Sequence, residues 1–98
     1  MDLEVAFLPS RDGDAQALIT AMENGGKDAL LSCPGCRKVT CLPGIENPGT
    51  VLFLVEWDSL DAHAAAKDTD GFRAFIAAAS PFFSPDGGGA MQHFRAPD

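Results

Sequence analysis

The amino-acid sequence predicts an α+β fold in the order β-α-β-β-α-β, and three observations carry that prediction. Four short stretches alternate or run apolar with strand character, at residues 3–8, 36–42, 51–58 and 91–95. Helical spacing of apolar residues falls between the first and second of these and again between the third and fourth. The third stretch is apolar on both faces: Val51, Phe53, Val55 and Trp57 point one way, Leu52 and Leu54 the other. A strand with no water-facing side needs cover on both.

The first strand, residues 3–8, sets Leu3, Val5 and Phe7 on one face and Ala6 and Leu8 on the other. Pro9 and the turn at Ser10-Arg11-Asp12-Gly13 end it. Asp12 or Asp14 is placed to cap a helix carrying Ala15, Leu18, Ile19 and Met22 at helical spacing. Gly25-Gly26 weakens or breaks that helix, residues 27–31 resume it, and Pro34-Gly35 stops it. Val39, Thr40 and Cys41 make residues 36–42 β-prone, and the Pro/Gly-rich loop at 43–49 joins this strand to 51–58 as a hairpin. Asp58 and Ser59 cap an alanine-rich helix over 59–66, which Asp68-Thr69-Asp70-Gly71 breaks. A second segment, 72–83, places Phe72, Phe75, Ile76 and Ala79 on one side. A connector with three consecutive glycines at 84–89 leads to the last strand. The whole chain, 1–98, reads as one domain with a ferredoxin-like four-stranded antiparallel sheet and helices on one face. The apolar side chains left on the other face form a self-complementary surface, so a two-fold homodimer through the sheet face is expected.

A net charge of −7 argues against nucleic acid or an anionic membrane as partner, since either needs a basic face. No apolar run approaches the roughly 20 residues that span a bilayer. Acids stand in Met1-Asp2-Leu3-Glu4 where a signal peptide carries lysine or arginine, so a cytoplasmic, soluble protein is expected. Cys33-Pro34-Gly35-Cys36 has C-x-x-C spacing, but it follows a helix and precedes a strand, the reverse of a thioredoxin-like pair. A zinc site needs further ligands. No cofactor-binding or metal motif is expected, because Gly87-Gly88-Gly89 precedes a strand rather than following one into a helix.

Several motifs in order resemble the antibiotic biosynthesis monooxygenase (ABM) family of the dimeric α+β barrel superfamily. They are Pro34-Gly35-Cys36, Val55-Glu56-Trp57-Asp58-Ser59 followed by His63, Thr69-Asp70-Gly71-Phe72-Arg73-Ala74-Phe75, Pro81-Phe82-Phe83 and Met91-Gln92-His93-Phe94. The resemblance covers nearly the whole chain. It implies a homodimer with a pocket in each subunit between sheet and helices, and an oxygenase branch that uses no cofactor beyond molecular oxygen as co-substrate. In that branch the tryptophan ending the third strand lines the pocket, and Trp57 matches it. Phe53 stands where the branch has an asparagine and His63 where it has a tyrosine. The haem-degrading branch places a tryptophan and a histidine near Ala66 and Ile76, which match neither.

His63 and Trp57 are therefore the catalytic candidates. An imidazole can take a phenolic proton near neutral pH, and His63 shares a helix face with Leu60. Trp57 is either the wall of an aromatic-substrate pocket or a sheet-end core residue whose indole N–H finds an acceptor. Phe7, Phe53, Phe72, Phe75, Ile76 and Phe82 are the candidate substrate-pocket residues, with Phe83 beside them. His93 faces either the dimer side, which is the favoured placement, or the pocket. Arg37 and Arg73 are either solvated or ligands for an oxyanion. The leading expectation is a monooxygenase for a phenolic or quinol-like aromatic molecule. The alternatives are a non-oxidative binder, cyclase or isomerase-like helper for a hydrophobic metabolite, and a thiol sensor at Cys33/Cys36.

Overall fold

The computed structural model describes residues 1–97. Its sheet has the strand order β2-β3-β1-β4, built from β1 (Asp2–Pro9), β2 (Cys36–Pro43), β3 (Thr50–Trp57) and β4 (Ala90–Arg95). Every neighbouring pair is antiparallel. The first and third strands lie at the centre and pair along their full length, from Asp2 opposite Trp57 to Pro9 opposite Thr50. This is the ferredoxin-like arrangement expected from the element order.

The helical layer comprises α1 (Ala15–Ala21), α2 (Lys27–Leu31), α3 (Leu60–Ala66) and α4 (Asp70–Ala79). Its starts follow local chemistry. Asp14, Ser59 and Thr69 each accept a hydrogen bond from the backbone N–H three residues on, at 3.1–3.2 Å, satisfying donors that a helix cannot pair internally. The first helix is interrupted where the glycine pair stands: α1 ends at Ala21, Met22–Gly26 form a widened turn with non-helical backbone at Asn24 and Gly25, and α2 resumes at Lys27. Gly25 makes this possible with φ at +130°, a conformation side chains avoid. The helix predicted over 72–83 is shorter at its end and begins earlier: Thr69 caps it, and Ser80–Phe82 tightens into a 3₁₀ turn at Pro81. There the proline ring favours the first turn of a new segment over continuation.

All the helices pack on one face of the sheet. Val51, Phe53, Val55 and Trp57 are buried beneath them, with Leu18, Met22, Leu30, Val39, Phe75 and Ala79. On the opposite face, cross-strand neighbours Val5 and Leu54, Phe7 and Leu52, and Leu3 and Phe94 form an apolar strip with no helix over it among the described residues. Phe7 is 52 % exposed and Phe94 47 %.

Candidate functional site

Between the covered sheet face and α3/α4 lies a cavity of about 300 Å³. Its walls are apolar: Ala6 and Leu8 from β1, Phe53 from β3, Leu30 from α2, Phe72 and Phe75 from α4, and Phe83 after the 3₁₀ turn. The glycine-rich run before β4 and Met91 close one side. Phe53 meets Phe75 and Phe83 with ring centroids 6.3 and 6.4 Å apart, and Phe72 meets Phe75 edge-on at 5.5 Å. These tilted pairs are favoured by aromatic quadrupoles and give the cavity an aromatic lining. Three ionisable side chains reach the cavity: Glu4, His63 and Lys67.

Glu4 and His63 belong to one buried polar cluster. The Trp57 indole N–H donates to Glu4 Oε1 at 3.1 Å, and His63 Nε2 stands 3.3 Å from the same oxygen. On the other side of the ring, His63 Nδ1 and His93 Nε2 are hydrogen-bonded at 2.8 Å. The imidazole of His63 lies flat on Trp57, with centroids 4.8 Å apart and planes 12° from parallel. A carboxylate accepts only, so the proton on His63 belongs on Nε2, and Nδ1 then accepts from His93 Nε2–H. Burial holds the His63 pKa below its ordinary value, disfavouring the charged ring; the Glu4 carboxylate opposes that shift, while His93 and Lys67 reinforce it.

The chain builds this cluster by register. Glu4 pairs across the sheet with both Val55 and His93, so all three share one face of the sheet. Ser59 starts α3 immediately after β3, and one turn later His63 comes back over the Trp57 ring. Asp2 secures the same corner: its carboxylate accepts from the Leu60 backbone N–H at 2.7 Å and from Arg95 Nε at 3.1 Å. Those bonds, the Arg95 one foremost, hold the Asp2 pKa below the usual carboxylate range.

Of the residues singled out from sequence, His63, Phe53, Phe72 and Phe75 line the cavity. Trp57 is fully buried behind His63 and is not part of the lining; its indole N–H finds a carboxylate. Phe7 is a correction: the alternation of β1 sends it to the open face, and its neighbours Ala6 and Leu8 line the cavity. Ile76 is 38 % exposed on α4 and lies outside the lining, and Phe83 rather than Phe82 takes part in it. His93 is a second correction. It faces the helices and meets His63, because it stands opposite Glu4 in the β1–β4 ladder.

Glu4 and Lys67 are the cavity residues that sequence reasoning did not single out. One signal for Glu4 existed, an acid in phase with Ala6 and Leu8 on a buried strand. Arg37 and Arg73 pair with Asp58 and Asp70 on the surface, each at 2.6 Å. Burial pushes the Cys36 and Cys41 thiols up to about 11, which keeps them protonated at neutral pH and poor as nucleophiles. No group of three or more His, Cys, Asp or Glu side chains among the described residues is placed to hold a metal ion. The geometry agrees, since Glu4 and His93 sit on opposite nitrogens of the single His63 ring and cannot converge with it on one ion. No helix among the described residues is long and apolar enough to cross a membrane.

Solved structures share this architecture at low identity. A protein of Bordetella bronchiseptica, described as a candidate antibiotic biosynthesis monooxygenase, superposes with a TM-score of 0.85 at 16% identity, over 98% of this chain and 96% of that one. A Caulobacter crescentus protein described in the same way gives 0.76 at 22%, over 99% and 90%. SnoaB, a cofactor-independent oxygenase from Streptomyces nogalater, gives 0.75 at 15%, over 99% and 93%. At these identities the likeness establishes the fold. A search of curated proteins finds no match. The family model for antibiotic biosynthesis monooxygenase matches residues 2–78, most of the chain, and the protein with this sheet, helical lid and cavity belongs to the antibiotic biosynthesis monooxygenase family.

Proposed function

We propose that this protein is a cytoplasmic, homodimeric monooxygenase that needs no cofactor and oxidises a phenolic or quinol-like aromatic molecule in the cavity beneath its helices. The observation that carries the reading is a buried carboxylate–imidazole pair, Glu4 and His63, at the edge of a cavity otherwise walled by phenylalanines. A flat ring fits such walls, and the pair offers a proton acceptor to its hydroxyl. Loss of that proton leaves an electron-rich anion, which gives one electron to molecular oxygen. The resulting radicals combine to a peroxide adduct; one oxygen atom stays on the ring, and the other leaves as water with hydrogens from the substrate. Excluding bulk water protects the anion. The open apolar strip supports the dimer, since two copies would cover Phe7 and Phe94 with one self-complementary surface.

A second reading, a non-oxidative binder or helper for a hydrophobic metabolite, is favoured by the engagement of both His63 nitrogens. Oxygen uptake separates the two. Hydroxylated anthrones and quinols incubated with the protein under oxygen are expected to be consumed with one oxygen molecule taken up per product. A panel that produces no uptake, in a protein that nonetheless binds the compounds, leaves the second reading standing.

A further inference from the structure

The cluster divides its labour unevenly, and the division is visible in which atoms are already occupied. Both polar neighbours of Glu4 converge on one oxygen: the indole N–H of Trp57 at 3.1 Å and Nε2 of His63 at 3.3 Å both address Oε1. Among the described residues, no hydrogen bond or ion pair engages Oε2. The side chain is only 14 % exposed and borders the cavity. His63, by contrast, has no nitrogen to spare: Nε2 faces the carboxylate and Nδ1 is taken by His93. Its flat stacking on Trp57 prevents the ring from turning either nitrogen toward the cavity without losing both contacts.

We propose that Glu4 is the catalytic residue, its free Oε2 accepting the substrate's hydroxyl proton, while Trp57 and His63 are positioning residues that immobilise Oε1. The inference rests on the oxygenase reading for the chemistry that follows proton loss, but the contact itself does not depend on oxygen. In the step, the substrate O–H bond breaks, an O–H bond forms at Oε2, and the electron pair stays on the substrate oxygen. His93 bonds the nitrogen of His63 that does not face the carboxylate, so the positioning chain runs His93–His63–Glu4 from the surface hollow beside Arg95 into the cavity. The substrate class narrows accordingly to aromatic molecules that present a hydrogen-bond donor at the end next to β1. The charged or titratable groups around Glu4 are His63 and Lys67 from the α3 side, His93 from β4 and Cys36 from β2.

The test uses two probes under nitrogen, 2-naphthol and 2-methoxynaphthalene, which differ by the donor hydrogen. Calorimetry on the unaltered protein is expected to show 2-naphthol bound about ten-fold more tightly, as suits a hydrogen bond to a charged acceptor. That preference disappears in Glu4→Leu and is reduced but retained in His63→Gln, whose amide can still donate to Oε1. Glu4→Gln, which keeps the shape and an acceptor oxygen, serves as a second variant and is checked for its melting transition. With an oxidisable anthrone, Glu4→Gln lowers kcat by about 100-fold or more, the usual reach of a general base, and recovers as pH rises toward the substrate's own pKa. A naphthol preference that survives in Glu4→Leu but is lost in His63→Gln overturns the assignment. So does a Glu4→Gln enzyme with unchanged kcat. Loss of the preference in Glu4→Leu without oxygen uptake by any substrate keeps Glu4 as the acceptor and removes the oxygenase reading. Failure of both probes to bind the unaltered protein removes both.

Discussion

The two faces of the central sheet have nearly the same apolar character and opposite fates. Along β3, Val51, Phe53, Val55 and Trp57 are at most 2 % exposed, whereas the intervening Leu52 and Leu54 keep contact with solvent. The residue types alone do not separate the sets. What differs is the partner: one face meets a layer of helices whose starts are set by Asp14, Ser59 and Thr69, and the other has no cover among the described residues. Among the described residues, the buried ionisable groups of the sheet lie on the covered face, because a helix can return a histidine over a strand and satisfy it there. Apolar surface makes both faces adhesive; only the enclosed one shapes a cavity around a carboxylate.

Substitutions on adjacent residues of β3 test this contrast most strongly. Phe53→Ala, on the covered face, is expected to destabilise the fold by about 3–5 kcal/mol, read by chemical denaturation, because it removes a fully buried ring and opens a void. Leu54→Asp, next to it on the open face, is expected to convert a dimer to a monomer in sedimentation while the subunit stays folded. A monomeric unaltered protein breaks the comparison at that point.

A finer test lies in how closely the covering helices approach each other. A Cβ built on Gly71 of α4 stands 2.9 Å from the Ala29 backbone oxygen and 3.3 Å from Cys33 Sγ. Gly71→Ala therefore separates α4 from α2, with an expected loss of about 1–3 kcal/mol in spite of alanine's better helix propensity. A gain in stability would show that the helical layer yields at Gly71 without loss of packing.

The smallest effect is one of pH. The pKa of His63 is lowered from 6.5 in the folded protein, mainly by burial, so the folded state binds fewer protons than the unfolded chain. Its contribution is present above about pH 6.5 and is lost as pH falls through the lower, folded-state pKa. The melting temperature of the unaltered protein should fall more steeply below pH 6.5 than that of His63→Gln. Parallel profiles would mean that His63 is not held neutral on the covered face.

Much of the fold was legible from pattern. The element order, the hairpin, the Ser59 cap and the break after Ala66 follow from local rules of turn chemistry, capping and periodicity, which need no knowledge of distant residues. Residues 72–83 do not form one helix, because helical spacing of apolar residues continues through Pro81 while the α-helical backbone stops at Ala79. Site residues fared according to whether their face could be read. Phe53, Phe72 and Phe75 line the cavity, whereas Phe7 lies on the open side of an alternating strand in which either phase is apolar enough to be buried.

What the chain determined by itself is therefore the set of strands and helices, their order, and the existence of two adhesive sheet faces, since each depends on residues a few positions apart. Which face the helices cover, and the meeting of Glu4, Trp57, His63 and His93, were decided only by tertiary structure. A period-two strand specifies that neighbours point oppositely but not which of them points inward. The register of β1 between β3 and β4 supplies that choice, and with it brings Glu4 of β1 to the border of the cavity.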